Sequence, residues 1–174
     1  MLDHASSPDL FLTGVTAASV RVAPCVPLQV KKLHADALLP RYATAGAACF
    51  DLHALMPAGR TLHLVNPGVA SVMRTGLAFG IPEGWAMLIY SRSGHGFNHD
   101  TRLANCVGVI DHDYVGEVMV KLTRDAGHGP ELVVRHGDRI AQAMLVPVTS
   151  VMFNEVDDLP GTERGTGGFG STGR

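Results

Sequence analysis

Charge is scarce in this chain of 174 residues: Asp, Glu, Lys and Arg make up 17% of it and leave a formal net charge of -2. No basic field is therefore on offer to nucleic acid or to an acidic membrane surface, whose binding rests on clustered Lys and Arg. Cysteine is scarce as well. Cys25, Cys49 and Cys106 are odd in number and none stands in a C-x-x-C pair. That argues against a disulfide framework or a thiolate zinc site and for a reducing, cytoplasmic setting. No apolar run reaches the ~20 residues that a membrane helix needs. Apolar stripes at i, i+3, i+4 and i+7 are few, and 20 Gly and 10 Pro interrupt most windows. Helix is expected only as one short segment after Tyr90. The first 26 residues lack a positive n-region, with Asp3 and Asp9 in its place and Arg21 as the only Arg. They do not read as a targeting peptide, and residues 1–26 are expected to form a flexible leader.

What is present is a large apolar share, 46%, cut into short pieces. That share suits a compact chain that buries much of its surface, in part within an oligomer. From Pro27 onward, strand-like runs fall at 28–33, 50–55, 62–65, 69–77, 85–90, 106–110, 117–122, 131–134 and 139–148. Turn signals such as Pro57-Ala58-Gly59, Asn66-Pro67-Gly68 and Pro82-Glu83-Gly84 divide them. The spacing predicts an all-β domain over 27–158, a sandwich or jelly roll. Residues 159–174 are dense in Gly and carry no core pattern. Ordering such a strap costs much conformational entropy, so it is either disordered or ordered by a ligand or a neighbour.

Four segments carry chemistry-bearing residues. Gly108-Val109-Ile110-Asp111-His112-Asp113-Tyr114-Val115-Gly116-Glu117 reads as a β-hairpin with acids near its tip. An acid held there can take a proton from water, or can simply make the turn. In Ser91-Arg92-Ser93-Gly94 a hydroxyl, a guanidinium and free N–H groups suit phosphate, although a polar loop has the same composition. Gly137-Asp138-Arg139-Ile140-Ala141-Gln142 opens a strand on which Ile140, Gln142, Met144 and Val146 share a face by period two. An amide on such a face needs partners, from a ligand or from a neighbouring strand. The tail fits G-x-G-x-x-G at Gly165, Gly167 and Gly170, yet no strand–helix unit surrounds it and no Lys follows, which removes the dinucleotide and Walker A readings. A strap remains, with Arg164 for phosphate, Phe169 for stacking on a base, and the Ser171 and Thr172 hydroxyls. His95, His99, His112, His128 and His136 lie in separate predicted loops without metal-ligand spacing and are expected at the surface.

Taken in order, these segments resemble the trimeric dUTP pyrophosphatase (dUTPase) family through five motifs that cover Pro27 to the end. The first is Ala45-Gly46-Ala47-Ala48-Cys49-Phe50-Asp51-Leu52, and the others are the four segments above. The resemblance implies a jelly-roll (β-clip) subunit and a homotrimer with active sites shared between subunits. It implies hydrolysis of dUTP to dUMP and pyrophosphate, which keeps uracil out of DNA and supplies dUMP for thymidylate synthesis. It also implies Mg²⁺ held by the triphosphate and water, with no direct protein ligand. By resemblance Asp111 is the general base for water attack on the α-phosphorus, and Tyr114 packs under deoxyribose and excludes a 2′-hydroxyl. Asn105, Val109, Ile110 and Met119 surround uracil. Arg92, Ser93, Gly94 and Gln142 contact phosphate or nearby water. Arg164 takes the γ-phosphate, and Phe169, with Gly170 and Ser171 beside it, covers uracil when the tail closes. The chain departs from the family pattern at Cys49 (usually Gly), Ser91 (usually Pro) and Val115 (usually Arg or Gln), none of which removes an assigned group. A dCTP deaminase shares the implied fold, but the 110–114 segment and the Phe169 strap argue against it. A catalytically silent nucleotide-binding trimer would have no use for Asp111.

Overall fold

Short aliphatic runs become short strands in the computed structural model, which describes residues 25–64, 66–171 and 173. Most of the leader, Val65 and the Thr172 hydroxyl lie outside the described residues. The strands are β1 (Gln29–Lys32), β2 (Arg41–Tyr42), β3 (Phe50–His53), β4 (Thr61–Leu64), β5 (Ala70–Arg74), β6 (Leu77–Gly80) and β7 (Trp85–Tyr90). One helix, α1 (Ser93–His99), leads to β8 (Thr101–Leu103), β9 (Val107–Ile110), β10 (Met119–Arg124), β11 (Leu132–Arg135) and β12 (Arg139–Pro147). All pairings are antiparallel. A five-stranded sheet runs β2-β3-β12-β7-β9, a three-stranded one β5-β10-β8, and β1-β6 and β11-β4 form two ribbons. This is the all-β, jelly-roll type of subunit that the strand spacing predicts. Leu52, Leu77, Phe79, Met87, Leu103, Val120, Leu122 and Ile140 are fully buried between the sheets. Among the described residues no helix is long and apolar enough to cross a membrane.

Four local expectations need correction. The run at 69–77 is two strands, because the chain breaks at Thr75-Gly76. Gly76 has φ +68°, and a Cβ there would lie 2.7 Å from Leu55 Cδ2 and 2.8 Å from the Ala37 Cβ, so no side chain fits. The 108–117 segment is not a paired hairpin: β9 pairs with β7, whereas β10 pairs with β5 and β8. The periodicity of β12 is interrupted by a bulge between Arg139 and Ala141. Ile140 is thereby buried with Ala141 and Ala143, while Gln142, Met144 and Val146 are only half-buried on the other face. His95 is buried rather than superficial.

The β5–β6 break is tied to the start of β10. Thr75 Oγ1 donates to the Val118 carbonyl (2.6 Å) and the Gly76 N–H donates to Glu117 Oε1 (2.8 Å). Arg74 Nε donates to both Glu117 oxygens (3.1 and 2.9 Å), and its Nη2 lies 2.9 Å from Oε2. Burial by itself would raise the Glu117 carboxyl. The Arg74 and Gly76 hydrogen bonds outweigh burial and hold it below its ordinary value of 4.5. The folded state therefore binds this proton more weakly than the unfolded chain, and the stabilisation is present above pH 4.5 and lost as pH falls through the depressed value. Glu117→Gln is expected to lower stability by about 1 kcal/mol at neutral pH, a modest figure because Arg74 is largely solvated. Denaturant unfolding at pH 7 and pH 3.5 checks this: the deficit of the variant should shrink at the lower pH.

Candidate active site

Strand β9 lies at the edge of its sheet. Its inner edge is zipped to β7, with Met87 opposite Ile110 and Tyr90 opposite Val107. Among the described residues its outer edge pairs with no strand. Because β10 is held in the other sheet, the chain on either side of the loop at 111–118 diverges. A cavity of about 380 Å³ opens between the arms, lined by Ile89, Leu103, Ala104, Asn105, Gly108, Val109, Ile110, Met119, Val120 and Lys121. The four residues assigned by resemblance to uracil, Asn105, Val109, Ile110 and Met119, are thus brought together. Asn105 precedes Cys106, whose φ of +63° turns the chain back into β9.

Asp111 and Tyr114 follow directly on Ile110. The Tyr114 N–H donates to the Asp111 carbonyl (3.2 Å), closing a turn that leaves the Asp111 side chain exposed. Its carboxylate makes no hydrogen bond or ion pair among the described residues and is open to water. The Tyr114 ring is fixed instead. Its hydroxyl donates to the Glu117 carbonyl (2.9 Å), and its Oη would lie 2.7 Å from a Cβ at Gly116. Only glycine lets the ring lie against the loop in this way.

A second cavity, of about 370 Å³, is lined by Ser91, Arg92, Ser93, Gly96, Phe97, Thr101, Arg102 and Gln142. Ser91 Oγ accepts from the Leu103 N–H (2.9 Å), and Gln142 Nε2 donates to the Ser91 carbonyl (3.1 Å). The Gln142 amide is satisfied by a neighbouring strand end while still lining the cavity. Gly94 sits in the first turn of α1 and is not among the lining residues. Arg92 Nη1 donates to the Arg139 carbonyl (3.0 Å), and its Nε lies 3.9 Å from Asp51 Oδ1. Arg139 Nη1 donates to Asp51 Oδ2 at 3.3 Å. One buried carboxylate thus faces two guanidinium groups, with Asp138 a further negative charge acting on Arg92. His95 lies behind Arg92, 8% exposed, and its imidazole is pushed down to about 4, first by burial and then by Arg92 and His99.

The two cavities share no residue. Arg92 follows the Tyr90 end of the β7–β9 ladder and Asp111 follows the Ile110 end, three ladder steps or about 10 Å away. The tail enters neither cavity. Phe169 is fully exposed, and Arg164 Nε turns back to the Gly167 carbonyl (2.8 Å). Gly170 and Ser171 are exposed beside it. Sequence reasoning missed Asp51, Arg139 and His95 as parts of the Arg92 cluster. Asp51 and Arg139 stand inside the first and fourth motifs, which was the available signal. Among the described residues no three His, Cys, Asp or Glu side chains converge to hold a metal ion.

The family model for dUTPase matches residues 35–173. The chain is 42% identical over 147 residues to the deoxyuridine 5'-triphosphate nucleotidohydrolase of Nautilia profundicola, covering 84% of this chain and 99% of that one. It is 47% identical over 137 residues to the protein of that name from Burkholderia mallei, covering 78% and 89%. Among solved structures, the dUTPase of Staphylococcus bacteriophage 80alpha with dUPNHPP superposes with a TM-score of 0.70 at 26% identity, over 85% of this chain and 99% of that one.

The fixed tyrosine generates a test. Gly116→Ala is expected to force the Tyr114 ring off the Glu117 carbonyl and to destabilise by about 1–3 kcal/mol. In a Tyr114→Ala background the same change should cost much less, because the obstructing ring is gone. Unfolding free energies of the four proteins check this. Equal costs in both backgrounds would show that Gly116 serves some other contact.

Proposed function

We infer that this chain, which belongs to the dUTPase family, hydrolyses dUTP to dUMP and pyrophosphate. The observation that carries the reading is the cavity along the free edge of β9, with Asp111 and Tyr114 following at its end. An unpaired strand edge presents alternating N–H and C=O groups, which can pair with the edge of uracil. Cytosine reverses one donor and one acceptor and would leave buried groups unpaired, which discriminates strongly. Ile89, Val109 and Met119 line the cavity, and rejection of a 5-methyl group is assigned to them. Tyr114, immobilised by its own loop, would lie under deoxyribose and exclude a 2′-hydroxyl. In the reaction the Asp111 carboxylate takes a proton from water as the water oxygen bonds to the α-phosphorus. The bond from that phosphorus to the bridging oxygen breaks, and pyrophosphate leaves. Removing dUTP keeps uracil out of DNA, and the dUMP formed feeds thymidylate synthesis.

The substrate's phosphates are assigned to Arg92, Ser93, Gly94 and Gln142, with Arg164, Phe169, Gly170 and Ser171 of the strap closing over the site. Asp111 and Arg92 stand at opposite ends of one ladder, and the strap reaches neither cavity of its own subunit. A homotrimer whose sites combine groups from different subunits accounts for both facts. The assembly also has a physical driver. After β12 the chain forms no further strand among the described residues, and Val151, Met152, Phe153, Val156 and Leu159 are between 52% and 94% exposed, an apolar arm that a neighbouring subunit would cover. Mg²⁺ bound to the triphosphate would neutralise part of its charge, with its oxygens coming from phosphate and water. Three free thiols and a nucleotide substrate suit a cytoplasmic enzyme. Residues 1–26 have no role in this reading.

Two tests follow. Asp111→Asn should keep dUTP binding and lose about 10²–10⁴-fold in turnover, measured as pyrophosphate release. The same assay across dUTP, dCTP, dTTP and UTP should favour dUTP, and comparable rates on dCTP would replace the substrate assignment. For the strap and arm, two truncations separate the roles. A chain ending at Leu159 should sediment as a trimer with depressed kcat, whereas one ending at Val148 should lose the trimer. Full activity in the first would remove the lid, and an intact trimer in the second would remove the arm from assembly.

A further inference from the structure

We propose that His95 is a positioning residue of the phosphate subsite: its imidazole accepts a hydrogen bond from Arg92 and so fixes which guanidinium nitrogen is presented to the substrate. The inference rests on the reading of the Arg92 cavity as a phosphate site.

The hydrogen-bond inventory around Arg92 sets the argument. Arg92 Nη1 lies 3.0 Å from His95 Nε2. A guanidinium has no acceptor, so the imidazole must be the acceptor, with Nε2 bare and its proton on Nδ1. The other Nη1 proton goes to the Arg139 carbonyl. Nη1 is therefore fully used, by α1 on one side and the start of β12 on the other. Nε is directed toward Asp51 on β3. Nη2 alone has no protein partner among the described residues, and it carries two donors for an anionic oxygen. Without an acceptor at position 95, Nη1 would regain a free proton and the guanidinium could turn about its own axis, presenting either nitrogen.

Packing does not explain a histidine here. Position 95 is buried against the core side of α1, and Nδ1 meets no acceptor among the described residues. An apolar side chain of similar size would fill the site without desolvating a polar ring. The ring is also kept neutral at physiological pH. Burial, then the charges of Arg92, His99 and Arg139, outweigh the opposing pull of Asp138. A protonated ring would lose the acceptor and face Arg92 as a second cation.

The experiment compares His95→Leu, His95→Met and His95→Gln in the full-length protein. Gln places Oε1 near the position of Nε2 and keeps the acceptor, whereas Leu and Met keep only the volume. Steady-state kinetics on dUTP are combined with competitive inhibition by dUDP and by deoxyuridine. Leu or Met should raise KM for dUTP roughly tenfold with a much smaller change in kcat. Inhibition by dUDP should weaken by a similar factor, and inhibition by deoxyuridine, which has no phosphate, should not change. Gln should recover most of the loss. The proposal falls if Leu and Met leave KM and dUDP inhibition unchanged. It also falls if Gln is as defective as they are, or if deoxyuridine inhibition weakens equally, which would mark general distortion. A wild-type protein that neither hydrolyses dUTP nor binds dUDP would overturn the functional reading itself, a result distinct from a normal wild type with indifferent variants.

Discussion

The free outer edge of β9 is the constraint on which the rest of the structure depends. Two strands joined by a short loop ordinarily zip together, since each gains backbone hydrogen bonds at little loop-closure cost. Here they are prevented from doing so. Residues 117 and 118 are clamped onto the β5–β6 break by Glu117, by Thr75 Oγ1, and by the Val118 N–H to the Leu77 carbonyl at 2.9 Å. That clamp commits β10 to the other sheet and leaves β9 with one side unpaired. An unpaired strand edge invites aggregation, and the usual protection is to keep it short or covered. β9 has four residues, and its edge faces an internal cleft. The exposed backbone thus borders the cleft and is withheld from another sheet.

The same sheet order explains why one subunit holds two separate cavities. Ser91 and Arg92 leave β7 at one end of the ladder, and Asp111 leaves β9 at the other. No local rearrangement joins them without breaking β7–β9 pairing, because strands are rigid over this length. The apolar arm after Pro147 is followed directly along the chain by the polar strap. The arm carries the exposed apolar side chains that the strap, with its glycines and single aromatic, lacks.

Much of this was legible in the sequence. Aliphatic runs between Pro/Gly turns gave the strands, since both signals are local and both dominate a chain with little helical periodicity. β2 and β8, with two and three residues, were invisible because periodicity needs more residues than they have. The break at Gly76 was hidden inside a continuous apolar run; it depends on contacts with Leu55 and Ala37, which are distant in sequence. The hairpin expectation for 108–117 failed for a related reason. Turn chemistry describes the loop, but Glu117 answers to Arg74 and Gly76, and long-range hydrogen bonds decided the pairing. At β12 a single bulge shifted the face on which Gln142 lies. The candidate site residues could be named from the sequence because their order along the chain is the family's order. His95 was misplaced at the surface because a lone histidine in a Gly-rich stretch carries no burial signal.

Scarcity of charge has a consequence at the Arg92 cluster. A surface crowded with both signs would screen and compete with any local field. In this chain few ionisable groups are buried, and Asp51, Arg92 and Arg139 meet at one place. The Asp51 carboxylate between two guanidinium groups orients them, and Asp138 adds a second negative charge near Arg92. A neutral His95 adds an acceptor without adding charge of either sign. Interactions with an incoming anion are strengthened where water is partly excluded, provided the donors are already oriented and nothing must reorganise. An apolar chain with a few well-held charges is therefore better suited to grip a triphosphate than a more highly charged one, in which donors would be solvated and mobile.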